Sequence, residues 1–366
     1  MNLVQLKKMA VPVTLGLALV LGMSAAEAES DILTPKQFAD NVREAGGSVS
    51  FVFGAIRPFD QCHASTITQA SDGTLVTAWF GGTREKGDDV GIWSSYLDGE
   101  KWSEPVQVAK INETPHWNPV LMTDADGKIH LFFKVGPEIP HWQTYWMHSD
   151  DGKTWTEAEE LVAGDHGGRG PVKNKAIILS DGTWLAPAST ELDGWNAFAD
   201  RSTDGGKTWT RSEDFGIDHD TFSGKGVIQP TFWESTPGNV HALLRSTDGK
   251  IWRTDSEDGG KTWANIYDSG LPNNNSGVDA LKLDDGRVLL VYNNVSGNWK
   301  ARTPLAFSVS SDNGKTWKTI ANLEDDADLK SEFSYPAIIK TDTGIAITYT
   351  FLRERVRCWQ IPLSAL

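Results

Sequence analysis

At 366 residues the chain is long enough for two or three domains, yet a repeat running through most of it argues for one closed array. Its 34 lysines and arginines against 49 aspartates and glutamates give a formal net charge of −15, which excludes nucleic acid as an expected partner. The 16 Trp and 35 Gly fit many short strands joined by tight turns.

The N-terminus has Lys7 and Lys8, then the apolar run 9–22, then Ala26-Glu27-Ala28. This is the pattern of a secretory leader with a small-residue cleavage site, assigned to residues 1–28. The apolar run is short for a transmembrane span, so no membrane insertion is expected once the leader is removed. No cysteine stands near the cleavage pattern to carry a lipid. Thr34-Pro35 opens a short helix, with Thr34 as cap, Pro35 as first helical residue and Gly46 as stop. Residues 29–47 are therefore read as a helical extension packed on the outside of the array that fills 48–366. Residues 48–55 alternate as a strand. The two cysteines, Cys62 and Cys358, either pair and tie the last unit to the first or remain buried thiols.

From Cys62 onward each unit runs strand, Gly-containing turn, second apolar strand, third strand, octet, fourth strand. The strand starts are Cys62-His63-Ala64, Trp117-Asn118-Pro119, Lys173-Asn174-Lys175, Ile228-Gln229-Pro230, Ser276-Gly277-Val278-Asp279 and Phe333-Ser334-Tyr335-Pro336. Six starts imply six units. The last has too few residues for a fourth strand, so 48–55 is expected to supply it and close the ring.

The octet is Ser202-Thr-Asp204-Gly-Gly206-Lys-Thr-Trp209, repeated as Ser256-Glu-Asp258-Gly-Gly260-Lys-Thr-Trp263 and Ser310-Ser-Asp312-Asn-Gly314-Lys-Thr-Trp317. A looser copy runs from His148 through Asp150 and Gly152 to Trp155, and a shortened one ends Asp98-Gly99-Glu100-Lys101-Trp102. The closing tryptophans at 102, 155, 209, 263 and 317 are spaced by 53, 54, 54 and 54 residues. A fixed period of that size marks an array of one supersecondary unit. Asp and Gly build a tight turn, and the Trp folds under it to bury apolar surface. These octets are stability devices on the rim, with no catalytic part.

The octet matches the Asp-box pattern S-x-D-x-G-x-x-W, and over roughly residues 60–366 the chain resembles the sialidase superfamily of β-propellers. The resemblance implies an all-β, six-bladed β-propeller with Asp-box repeats. In a propeller the first strand of every blade lines the central channel, so strand starts and second-strand ends converge. The starts carry His63, Asn118, Lys173, Lys175, Gln229, Asp279 and Tyr335, and the second-strand ends carry Arg84, Lys134, Glu191, Arg245 and Asn293. Converging cations would allow an acidic protein to bind an acidic glycan, because a cleft focuses their field.

Position by position, the resemblance assigns Tyr335 as the nucleophile that begins the last blade. Arg245 and Arg302 are the second and third arginines of a carboxylate clamp, and Asp88 or Asp89 is the acid. His63 stands where the superfamily has the Arg of R-I-P, and Gln229 stands where it has a Glu. A phenol has a pKa near 10, and the missing carboxylate is what would draw off its proton. A base for Tyr335 must then come from Glu191 or Glu332. Arg84, Asn118, Lys134, Lys173, Lys175, Glu191, Gln229, Arg245 and Arg302 form the expected substrate-binding set. Trp79, Trp117, Trp142 and Trp195 are either sugar platforms or core.

Two reactions fit these residues. An exo-acting hydrolase would hold a terminal acidic sugar by its carboxylate, with Asp88 or Asp89 protonating the leaving oxygen and Tyr335 meeting the anomeric carbon. A uronate lyase would neutralise the carboxylate and remove the neighbouring proton with His63 or Tyr335. A third reading is a non-catalytic binding propeller. No metal-ligand cluster, phosphate loop or nucleophile elbow occurs, so no cofactor is expected.

Overall fold

Ladder pairing sorts the repeats into six antiparallel sheets in a computed structural model that describes residues 32–366. The leader pattern lies outside the described residues. Each sheet is one blade of a six-bladed β-propeller, with strands in sequence order from the channel outward in blades 1 to 5. Blade 1 runs Gln61–Gln69, Leu75–Gly82 and Gly91–Asp98, and its outer edge is split between Lys101–Trp102 and Val106–Ala109. Blade 4, from Val227–Thr236 to Tyr267–Pro272, has all four strands at full length. Blade 3 departs most from regularity: its inner strand is only Ile177–Ile178, and residues 171–176 form no ladder.

Ring closure comes from Ser48–Phe51, which pairs antiparallel with Arg355–Pro362 as the outer strand of blade 6. Every sheet in the ring then has its inner edge facing the channel and none is left without a neighbour. The helix spans Pro35–Glu44. Its Thr34–Gln37 capping box satisfies two free amides at the start, and Gly46 at φ +88° follows the Ala45 cap. Phe38 and Val42 on one face are buried at the seam of blades 5 and 6, with Phe38 5.5 Å from Trp359 and 5.9 Å from Phe307.

The octets close as local chemistry demands. Ser202 Oγ donates to Asp204 Oδ1 at 2.8 Å, Gly206 N donates to Ser202 Oγ at 2.8 Å, and Trp209 Nε1 donates to Gly206 O at 2.8 Å. The looser copy is displaced by one residue from the sequence alignment. There Ser149 and Asp151, not His148 and Asp150, make these bonds, and Trp155 Nε1 is left without a partner.

Four inner strands carry the same irregularity near the channel mouth. Register shifts fall between His63/Thr66, Trp117/Val120, Ile228/Thr231 and Ser334/Ala337. Within each bulge one non-glycine residue is left-handed: Ala64 (φ 54°), Asn118 (37°), Gln229 (52°) and Tyr335 (55°). A bulge adds a residue and re-aims its side chain, at a cost of about 1 kcal/mol or more for the left-handed conformation. Three of these four side chains face one cavity. Cys62 and Cys358 are both buried free thiols, so the alternative of a bridge between first and last blades is not realised. Among the described residues no helix is long and apolar enough to cross a membrane.

Candidate active site

At the bulged end of the channel lies a cavity of about 430 Å³. Seven of the thirteen residues anticipated for the site line it: His63, Asn118, Glu191, Gln229, Arg245, Arg302 and Tyr335. They come from all six blades, Arg302 from the connection between the second and third strands of blade 5, which is the convergence that a propeller produces.

Tyr335 stands at the centre. Its hydroxyl accepts from Arg245 Nη1 at 2.7 Å and from Gln229 Nε2 at 3.3 Å. Gln229 also accepts from Arg245 Nη1 at 3.0 Å, and Asn275 Oδ1 accepts from Arg245 Nε at 2.8 Å. Three acceptors therefore fix this guanidinium although Arg245 is 3% exposed and has no carboxylate partner among the described residues. The His63 ring is stacked obliquely on Tyr335 with centroids 4.2 Å apart, and its Nδ1 meets Thr350 Oγ1 at 2.9 Å. Burial, then the charges of Arg353, Arg302, Arg245 and Lys173, push His63 well below the usual histidine range. The imidazole is neutral at physiological pH.

On the blade 6 side, Glu332 joins two guanidiniums. Its Oε1 accepts from Arg302 Nη1 at 2.7 Å, and its Oε2 accepts from Arg353 Nε at 2.9 Å. Burial opposes ionisation of Glu332, but Arg302 and Arg353 outweigh it and hold the carboxyl below its ordinary range. Glu332 is thus committed to the arginines, not to Tyr335. Arg353 Nη1 also donates to Glu85 at 2.5 Å. The Nη2 groups of Arg245, Arg302 and Arg353 have no protein acceptor among the described residues, so each keeps a donor for a ligand. Across the channel from blade 6, burial raises the Glu191 carboxyl above its ordinary range, with Arg245 and Trp195 pulling weakly the other way.

Arg353 was not anticipated from the sequence, nor were Glu85, Lys86, Ile139 and Trp299, which also line the cavity. A usable signal existed for Arg353. It follows the second strand of blade 6, Gly344–Phe351, at the same topological place as Glu191 and Arg245 in blades 3 and 4. It brings a third guanidinium beside His63, on a different strand from the first-strand arginine of the superfamily pattern.

Six anticipated residues do not line the cavity. Asp89 is spent on its own loop, accepting from Thr83 N and Thr83 Oγ1 at 2.7 Å each, and Arg84 and Asp88 are exposed on that loop. Of the acidic residues there, only Glu85 turns inward. Lys134 is fully buried between blades 2 and 3, donating to Thr144 Oγ1 at 2.7 Å and Arg169 O at 2.6 Å, and burial pushes it down to about 7. Lys175 is paired with Asp279 at 3.0 Å, and Lys173 lies beneath the cavity floor. Asp279 is likewise spent on backbone and side-chain partners, and Asn293 Nδ2 is spent on Pro304 O and Phe333 O. Of the tryptophans, Trp117, Trp142 and Trp195 line the cavity, whereas Trp79 is core against Phe53 at 4.8 Å.

Four cations (Lys86, Arg245, Arg302, Arg353) meet three carboxyls (Glu85, Glu191, Glu332) at the cavity wall. Even with all three carboxyls ionised the wall is net positive on a molecule of formal charge −15. A net positive wall with free guanidinium donors has the chemistry to pair with an anionic group such as a carboxylate. No group of His, Cys, Asp and Glu suited to a metal occurs among the described residues.

A family model described as a BNR repeat-like domain matches residues 73–347. No curated protein sequence matches the chain significantly. Among solved structures, the Hadza microbial sialidase Hz136 superposes with a TM-score of 0.72 at 16% identity, covering 87% of this chain and 69% of that one. A protein of unknown function from Dyadobacter fermentans gives a TM-score of 0.67 at 18% identity, covering 85% of this chain and 98% of its own. The NanB sialidase from Streptococcus pneumoniae gives 0.66 at 15% identity, with 87% and 71% covered. At such identities the likeness is one of fold.

Proposed function

Since the chain belongs to the BNR repeat-like domain family, on a sialidase-like propeller, we propose that it is an exo-acting glycosidase that hydrolyses a terminal acidic sugar from a glycan. One observation carries this reading: the Tyr335 hydroxyl, 2.7 Å from Arg245 Nη1, shares its cavity with three guanidiniums that each keep an unused donor. Arg245, Arg302 and Arg353 bind the sugar carboxylate and so set the anomeric carbon against Tyr335.

Glu191, held toward its protonated form, gives its proton to the glycosidic oxygen as the bond to the anomeric carbon breaks. The Tyr335 oxygen donates electron density to the developing cation. Water then adds to that carbon, and its proton returns to the Glu191 carboxylate. Glu191 takes the acid role here in place of Asp88 or Asp89, because those side chains are outside the cavity.

A second reading has a specific observation behind it. The neutral His63 imidazole, stacked on Tyr335, is a base beside a carboxylate site, as elimination from a uronate requires. Mass spectrometry of products released from acidic glycans in heavy-oxygen water separates the two. Hydrolysis puts the label on the released reducing sugar, and Tyr335→Phe slows its appearance sharply to a measurable residual rate. An unlabelled product lighter by one water would overturn hydrolysis in favour of elimination. No product from any acidic glycan would leave a binding module.

A further inference from the structure

Directly under Tyr335 the channel is crossed by a buried cation that the proposed chemistry does not use. Lys173 is 3% exposed, and its Nζ is 5.8 Å from the Tyr335 ring centroid. The ammonium has three N–H groups and three acceptors: Asn174 Oδ1 at 2.7 Å, Val278 O of blade 5 at 3.2 Å, and Pro336 O of blade 6. The neighbouring Asn174 extends the tie to blade 4, donating from Nδ2 to Gln229 O at 3.1 Å and Pro230 O at 2.8 Å. Residues 171–176 of blade 3 make no ladder, so these side chains do the work that strand pairing does elsewhere.

The acceptors are not scattered. Gln229–Pro230 and Tyr335–Pro336 are the left-handed steps of the two bulges that present the Gln229 amide and the Tyr335 hydroxyl to each other. Both steps are conformationally costly, and such strain persists only where surrounding contacts hold it. The nearest acid, Asp279, is already occupied by Lys175 at 3.0 Å, Thr231 Oγ1 at 2.7 Å and Ile338 N at 2.9 Å. The ammonium is therefore solvated by carbonyls alone, and burial pushes it down to about 7. A cation kept at that cost is there for what its three donors hold in place.

We propose that Lys173 is a positioning residue for the reaction: its ammonium, with Asn174, pins the bulges of blades 4 and 6 across the channel and so fixes the Tyr335 hydroxyl against Arg245. The kinetic part of this proposal rests on the glycosidase reading, and the structural part does not.

Lys173→Met keeps the length of the side chain and removes the donors. Gly277→Ala is a milder second variant, because a Cβ there stands 3.0 Å from Lys173 Cε and must displace it. Hydrogen exchange read by mass spectrometry on the folded wild-type and variant proteins is expected to speed up in the peptides covering 227–232 and 333–338, with the outer hairpins unchanged. Unchanged exchange in both segments would overturn the tie, whether or not the protein turns over any substrate. On a glycoside that wild type cleaves, kcat is expected to fall about 100-fold in Lys173→Met, as for a misplacement of about 1 Å. KM should stay within about threefold, because the Lys173 ammonium bonds Asn174, Val278 and Pro336 and none of the three arginines. In a Tyr335→Phe background the Lys173→Met change should cost no further kcat. An equal loss in that background, or a loss confined to KM, would refute the positioning role.

Discussion

Arg245→Met separates a ligand-binding arginine from a structural one. The guanidinium is buried, makes three hydrogen bonds to uncharged acceptors, and has no carboxylate partner among the described residues. In the free protein its removal relieves the solvation cost of a buried cation and opens Asn275 Oδ1, Gln229 Oε1 and the Tyr335 hydroxyl to water in the cavity. These terms oppose each other, so urea unfolding should move by no more than about 1 kcal/mol in either direction. Catalysis has no such compensation. One charge-assisted hydrogen bond from the free Nη2 to a substrate carboxylate, at about 3 kcal/mol, is roughly 150-fold in kcat/KM. The assay is steady-state cleavage of an acidic-sugar aryl glycoside alongside a urea melt on the same preparation. A variant within about threefold of wild-type kcat/KM, with a markedly lowered midpoint, would refute the clamp and make Arg245 a structural residue.

Three further outcomes follow from the same geometry. Glu191→Gln should lower kcat by about 100-fold or more. Because the folded-state carboxyl is raised, the proton-donating form is present below its folded value and lost as pH rises through it, so the alkaline limb of the wild-type pH profile should vanish in the variant. Glu332→Gln should cost about 2 kcal/mol in a neutral-pH melt, less than a fully buried pair because the carboxylate is 26% exposed. Its lowered carboxyl contributes stability above the unfolded value near 4.3 and loses it as pH falls through the folded one, so the variant's acid decline should be shallower. Trp209→Ala should cost about 3 kcal/mol or more of stability while KM stays unchanged, since the octet lies on the rim away from the cavity.

Much of the fold is local chemistry repeated, and that is why it can be read from a single chain. The Ser, Asp, Gly and Trp of each octet bond among themselves within eight residues, so their spacing carries the blade period without any knowledge of the ring. The Thr34–Gln37 cap and the closing role of the segment beginning at Ser48 are legible for similar reasons. Even here the pattern has a limit: the copy near 150 slides by one residue because a serine and an aspartate one place further on make the same bonds.

The candidate site is a different kind of object. Sequence reasoning brought His63, Gln229, Arg245 and Tyr335 to one end of the channel because blade topology collects strand starts and second-strand ends there, and it added Arg302 from the superfamily resemblance. It could not say that Asp89 would be consumed by Thr83 while Glu85 turned inward, because both lie within one short loop whose path depends on what it packs against. Nor could it separate Lys173 from Tyr335, both at strand starts. One lies beneath the floor and the other lines the cavity because a left-handed bulge re-aims the tyrosine, whereas the lysine sits on a segment with no ladder. Periodicity and turn chemistry act between neighbours and are written in the chain. Which way a polar side chain points, and whether another residue has already taken its charge, is decided only when six blades meet around one axis.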